Sequence, residues 1–274
     1  MARRTSSSFR ARFWYTLLVV FGAAVLFFLI APALIIVPLS FNSEAFFSFP
    51  MPGLSLRWYE EFFTSERWLT SIANSLFVAV ISTVVATVLG TAAAFGLSRP
   101  HFPFRGIVMA ILLLPMIVPL IISAVGLYFF YAWIGLLNSF TGLILAHIAL
   151  ATPFVLITVT AALSGFDESL WRAGASLGAP PLTTFRRVVL PLIFPGVASG
   201  ALFAFIVSFD EVIVALFVVS AEQRTLPRQM FSGIREQISP TITAAATFLI
   251  LISVVLFATI EILRHRSERL NSNR

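Results

Sequence analysis

Residues 167–196 read DESLWRAGASLGAPPLTTFRRVVLPLIFPG, a polar segment punctuated by glycine and proline and set between membrane-length apolar runs. Immediately before it, residues 106–166 contain no Asp, Glu, Lys or Arg. That is enough chain for two crossings at about 20 residues each. The 274-residue chain is 59% hydrophobic and 11% charged, against roughly a quarter charged in a soluble domain. The sequence therefore reads as an all-α polytopic membrane protein, and the quoted segment as the longest internal loop between its spans.

Six spans are predicted, near 14–37, 72–97, 107–129, 136–159, 192–218 and 241–262. The first lies behind an arm carrying Arg3, Arg4, Arg10 and Arg12, and its apolar run is longer than the 7–15 residues of a signal-peptide core, so it reads as a retained anchor. Placing both termini in the cytoplasm puts thirteen of the eighteen arginines on one side, in the arm, the 98–105 turn, the 163–187 loop and the tail. The positive-inside rule favours that orientation. The domain layout is then a cytoplasmic arm (1–13), a first span (14–37), an external loop (38–70), a five-helix core (71–262) holding the loop 163–187, and a cytoplasmic tail (263–274). The external loop carries Trp58, Tyr59, Phe62, Phe63 and Trp68, whose aromatic rings are expected to pack at the interface.

Composition excludes several functions. There is no cysteine, hence no disulfide and no thiolate metal site. All eighteen basic residues are arginine, and a P-loop needs a lysine for the β and γ phosphates, so this chain is not itself a P-loop ATPase. The net charge of +6 is spread over span edges and forms no continuous stripe, which argues against nucleic acid. His147 stands alone in the charge-free region and reads as a packed or hydrogen-bonded histidine, with no metal site implied. Asn74 and Asn138 read as capping or interhelical hydrogen-bonding residues, and Pro115, Pro119 and Pro153 as kinks.

Within the quoted segment, Ser164 is a plausible N-cap, Asp167 and Glu168 suit a first turn, and Gly178 suits an end, which predicts one short helix. Leu170, Trp171 and Leu177 give it an apolar stripe. Pro180 and Pro181 break the chain after it, and Pro191 is suited to a first helical turn of the next span. The most unusual intramembrane residues are Asp210 and Glu211, since an acid in apolar surroundings requires a cavity, a partner or neutralisation. Either a cation path or structural pairing would account for them. Beyond them, Thr225-Leu226-Pro227 opens an external segment carrying Arg228 and Arg235, which either satisfy neighbours or meet a docked protein.

The quoted segment resembles the cytoplasmic loop of permeases from binding-protein-dependent ABC importers, whose pattern is E-A-A, three residues, G, nine residues, then I-x-L-P. Arg172, Ala173 and Gly174 stand at the E-A-A positions, Gly178 is the glycine, Val188 takes the isoleucine place, and Leu190-Pro191 close the pattern. The glutamate is replaced by arginine and the second alanine by glycine. The run from SFDEVIVALF onward is similar to the polyamine-importer branch, and the likeness extends over nearly the whole chain. The resemblance implies the type I ABC importer permease fold, with Arg172, Ala173, Gly174, Gly178 and Pro191 in the ATPase-coupling element. It also implies a second permease, two cytoplasmic P-loop ATPase subunits that use ATP and magnesium, and a periplasmic or extracellular binding protein that delivers a small organic cation such as spermidine or putrescine. Asp210 and Glu211 become candidate path residues. This chain would bind no cofactor and perform no bond chemistry, and it would sit in the bacterial plasma or inner membrane among its lipids. Import of opines or another small solute, and self-contained ion-coupled transport, remain the alternatives.

Overall fold

The computed structural model describes residues 5–45, 50–99, 102–236 and 239–272. Of the residues named above, Arg3 and Arg4 lie outside them. The described residues are helical nearly throughout: α1 (Thr5–Leu39), α2 (Arg57–Thr64), α3 (Glu66–Leu97), α4 (Arg105–Ile117), α5 (Leu120–Ile134), α6 (Phe140–Ser164), α7 (Glu168–Ser176), α8 (Pro181–Thr184), α9 (Leu190–Phe209), α10 (Ile213–Val218), α11 (Leu226–Glu236) and α12 (Pro240–Ser272). A π-helical turn, Phe185–Val189, joins α8 to α9.

The expectation of six spans is corrected. Four helical stretches are long and apolar enough to cross a membrane: Ala11–Leu39, Glu66–Leu97, Phe140–Ser164 and Pro181–Phe209. The predicted third span is two helices, α4 and α5, bent by 101°, which make a fifth crossing only if counted together. The cause is Pro119, which forces Val118 into an extended conformation (ψ 134°) and so ends α4. The predicted fifth span is also interrupted, because α9 stops at Phe209 and helix resumes only at Ile213. In α12 the apolar stretch among the described residues runs from Pro240 to Val255, short of a full crossing.

The chain forms two units, residues 1–63 with 236–256, and residues 64–235 with 257–274. In the first, α1 leaves almost all its apolar side chains exposed, as a helix facing lipid does. The segment after it is tied to α2: the Trp58 indole donates to the Asn42 carbonyl at 2.7 Å, and the Ser40 and Tyr59 hydroxyls pair at 2.6 Å. Phe62 and Phe63 pack on Phe248 with ring centroids 5.5 Å apart, and Thr241 donates to Glu61 at 3.1 Å. The loop aromatics Trp58 and Phe62 are thus packing residues.

The second unit is built around α6, which is covered by α3 and α9. α3 turns a row of small buried residues inward, Ser71, Ser75, Ala79, Ser82, Ala86, Gly90 and Ala94. Their three- and four-residue spacing keeps them on one face, which lets helix backbones approach closely. α9 answers with Gly196 and Gly200. A Cβ at Gly196 would come within 2.5 Å of Ala162 Cβ, and one at Gly200 within 3.0 Å of Val155 Cα. Only glycine fits at either crossing point.

Candidate functional site

Two groups of residues carry the functional argument, one at the end of the second unit where α7 lies and one at the break between α9 and α10.

At the first, α7 is capped at both ends. Asp167, not Ser164, is the N-cap: its carboxylate accepts from the Ser169 amide at 2.8 Å, while the Ser164 hydroxyl donates back to Ala161 within α6. The side-chain and backbone hydrogen bonds from Ser169 hold the Asp167 carboxyl below the usual carboxylate range. Gly178 has φ +75°, its amide bonds Ala175 O at 3.0 Å, and the Ala179 amide bonds Gly174 O at 3.1 Å. That is a Schellman ending, with glycine at the left-handed position. The predicted helix is present, shifted a few residues from the expected start.

The departure from alanine at position 174 has a steric reason, since a Cβ there would stand 2.8 Å from Thr184 Cγ2. Gly174 therefore lets α7 lie directly against α8. Trp171 stacks 5.4 Å from Phe95 of α3, which in turn contacts Phe185 at 5.1 Å. The Arg99 guanidinium covers both Phe95 and Trp171, at 4.7 and 4.6 Å from the ring centres. α7 is thus fixed to α3 and to the helix that continues into α9, while Arg172, Ala173, Leu177 and Leu182 stay exposed. The sequence reading passed over Phe95 and Arg99, which lie about seventy residues before α7. Their i, i+4 spacing at a helix end was the available signal.

Pro191 lies in the first turn of α9, as expected, but helix runs on without a break from Pro181 to Phe209 through the π turn, where the Leu190 amide bonds Phe185 O. Proline clashes with the carbonyl four residues back in an α-helix, and the wider turn moves that carbonyl away.

At the second group, Asp210 and Glu211 do different things. Asp210 is the C-cap of α9 and its side chain is exposed. Glu211 is buried and accepts from the amides of Val214 at 2.6 Å and Ala215 at 3.1 Å, satisfying the first turn of α10. Its carboxylate also stands 3.5 Å from Nε2 of His147, which is fully buried on α6 and whose Nδ1 pairs with the Ser208 hydroxyl at 2.8 Å. His147, far from Glu211 in sequence, was read as solitary; the fold gives it this carboxylate neighbour. Among the described residues no group of three or more His, Cys, Asp or Glu could hold a metal ion.

At the opposite end of this unit, Asn74 donates to the carbonyls of Glu222 and Arg224, both at 3.0 Å, and so ties α3 to the loop between α10 and α11 rather than to another helix. Arg228 donates to the Ser220 carbonyl and so satisfies a neighbour. Asn138 adopts φ 54°, and its amide bonds Val218 O at 2.9 Å, tying the α5–α6 turn to α10.

The family described as binding-protein-dependent transport system inner membrane component matches residues 86–270. The spermidine/putrescine transport system permease protein PotC of Haemophilus influenzae is 31% identical over 240 residues, covering 88% of this chain and 93% of its own. The putrescine transport system permease protein PotI of Escherichia coli is 33% identical over 231 residues, covering 81% and 82%. The solved structure of a bacterial ABC transporter that imports the acidic polysaccharide alginate superposes with TM-score 0.75 at 18% identity, over 95% of this chain and 99% of that one. The chain belongs to the family of binding-protein-dependent transport system inner membrane components: it is a multi-pass inner-membrane permease subunit of an ABC importer.

Proposed function

We propose that this permease moves polyamine cations of the spermidine and putrescine kind. The observation that carries the reading is identity of 31–33% over 81–88% of the chain with the polyamine permeases PotC and PotI. The chain would pair with a second, related permease, take its solute from a binding protein outside, and be driven by two ATPase subunits that bind ATP and magnesium. Both termini face the cytoplasm in this reading.

Arg172, Ala173, Gly174, Gly178 and Pro191 form the coupling element. α7 presents Arg172, Ala173 and Leu177 outward and is braced behind by Phe95 and Thr184, so force on it reaches α3 and α9 with little local give. The arginine at position 172 calls for an acidic or neutral partner side chain there. Asp210, exposed at the end of α9, suits contact with a passing cation, while Glu211 holds the break that presents it.

The trehalose transport system permease protein SugB of Mycobacterium tuberculosis is 30% identical over 206 residues, covering 74% of this chain, so a neutral small solute is the second reading. Affinity purification from the native membrane should recover a second permease and a P-loop ATPase. Reconstituted into vesicles with the co-purified binding protein, the complex should accumulate radiolabelled spermidine or putrescine on ATP addition. Uptake of trehalose with none of either amine would overturn the polyamine reading, and isolation as a lone chain after crosslinking would overturn the importer assembly.

A further inference from the structure

Beside α7 lies a cleft of about 420 Å³, which Arg172 of the coupling element also lines. It is walled by the C-terminal ends of α3 and α6, the start of α4, and α7 itself. Arg99, Arg105 and Arg172 all line it, together with Ser98 and Ser164, and among the described residues no acidic side chain does. Asp167, in the same loop, interacts electrostatically with Arg172. Thr160 lines the cleft too, and its buried hydroxyl has no hydrogen-bond partner among the described residues. Three guanidinium groups and an unmatched hydroxyl around one open volume are complementary to a phosphate, which offers several strong acceptor oxygens and accepts arginine in a two-bond geometry.

We infer that the cleft binds the phosphate of an anionic phospholipid headgroup. Its place favours lipid over a soluble anion or an acidic protein side chain. It opens where the apolar helices α3 and α6 end and α4 begins, and Phe95 and Trp171 line it as aromatic residues line a membrane interface. From Arg105 an exposed apolar strip runs away along α4, Ile107, Ile111 and Leu114, at 60%, 58% and 48% exposure. Their spacing of four and three residues places them on one face. A phosphate held at Arg105 would lay its acyl chain along this strip. Basic clefts between membrane helices at the membrane surface recognise anionic headgroups in this way. A lipid seated there would fill the space between α7 and the ends of α3 and α6, so its presence would stiffen the mounting of α7.

The test uses the full chain purified in a neutral detergent and titrated with dioleoyl phosphatidylglycerol or dioleoyl phosphatidylcholine, with retained lipid read by native mass spectrometry. Phosphatidylglycerol should bind and phosphatidylcholine, with the same acyl chains, should bind much more weakly. Arg105→Ala with Arg172→Ala should weaken phosphatidylglycerol about 25-fold, two arginines at roughly fivefold each. Arg105→Lys should retain most of the binding. The lipid-free melting temperature and elution volume of each variant report folding, and either single alanine variant, expected about fivefold weaker, replaces the double variant if that one misfolds. Equal binding of the two lipids, or wild-type affinity in a folded alanine variant, overturns the inference. So does full displacement of the lipid by millimolar inorganic phosphate, which would mark a soluble-anion site. Displacement by the co-purified ATPase that depends on Arg172 would assign the cleft to a protein carboxylate and overturn it equally.

Discussion

Replacing Glu211 with alanine should cost this protein far more stability than any change at its neighbour Asp210. The Glu211 carboxylate receives the amides of Val214 and Ala215 at 2.6 and 3.1 Å, in a buried place where water does not easily replace it. Hydrogen bonds to a charged acceptor contribute about 1.5–3 kcal/mol each, so losing both costs roughly 3–6 kcal/mol. Taking about 3 kcal/mol as the lower end, with roughly 2–4 °C per kcal/mol for a chain of this class, the melting temperature should fall by about 6–12 °C. Glu211→Gln keeps one acceptor oxygen but turns an NH₂ toward the second amide, so it should lie in between. His147, 3.5 Å from the same carboxylate, makes an ion pair with it only when protonated, and its bond to Ser208 at 2.8 Å survives the substitution. Asp210→Asn removes no contact in this network and should stay within about 0.5 kcal/mol of wild type. The assay is fluorescence-detected melting of each purified variant in one detergent. A Glu211→Ala protein that melts with wild type, or an Asp210→Asn protein that melts as low as Glu211→Ala was expected to, would refute the division of labour between these acids. In reconstituted transport the order should reverse: Asp210→Asn lowers uptake of a cationic solute at limiting concentration while assembly is unchanged.

Four further outcomes follow from the structure. Gly200→Leu forces a side chain into the Val155 backbone and should destabilise by about 1–3 kcal/mol or more, seen as lost monodispersity. Gly96→Ala, with open space around it, should be neutral or mildly stabilising. Gly178→Val places a β-branched residue at φ +75°, costing roughly 1–2 kcal/mol at the end of α7, and should leave membrane insertion intact while reducing ATPase co-purification. The lowered Asp167 pKa means its cap is fully present above the unfolded carboxylate value of about 3.9 and is lost as pH falls through the lower folded value. Hydrogen exchange at the Ser169 amide, compared with Asp167→Asn, should therefore show an acid-induced loosening that the variant lacks.

Much of the fold was legible because burial in lipid leaves a direct trace in composition. A charge-free run from 106 to 166 has few alternatives to membrane helices, and a glycine between a helical pattern and a proline pair marks a helix end, where Gly178 is found. The interruptions at Val118 and at Asp210–Val212 were less legible, because hydropathy averages over a window and a two- or three-residue break barely alters it. Pro119 was visible as a kink, but the angle of 101° depends on what the two halves pack against. The GVASG run at 196–200 was a readable small-residue signal that the span count passed over.

By itself, then, the sequence determined the all-helical membrane class, the short capped helix before Pro180, the absence of a P-loop, and the two acids as a place of consequence. These depend on local chemistry: hydropathy, capping, backbone freedom and residue type. Only the tertiary structure decided that Glu211 is enclosed and Asp210 is not, that His147 lies beside that glutamate, that Thr184 excludes a Cβ at position 174, and that Arg99, Arg105 and Arg172 share one cleft. Each of those depends on helices distant in the chain crossing at a particular height and rotation. That is set by side-chain packing over the whole bundle, and no local pattern contains it.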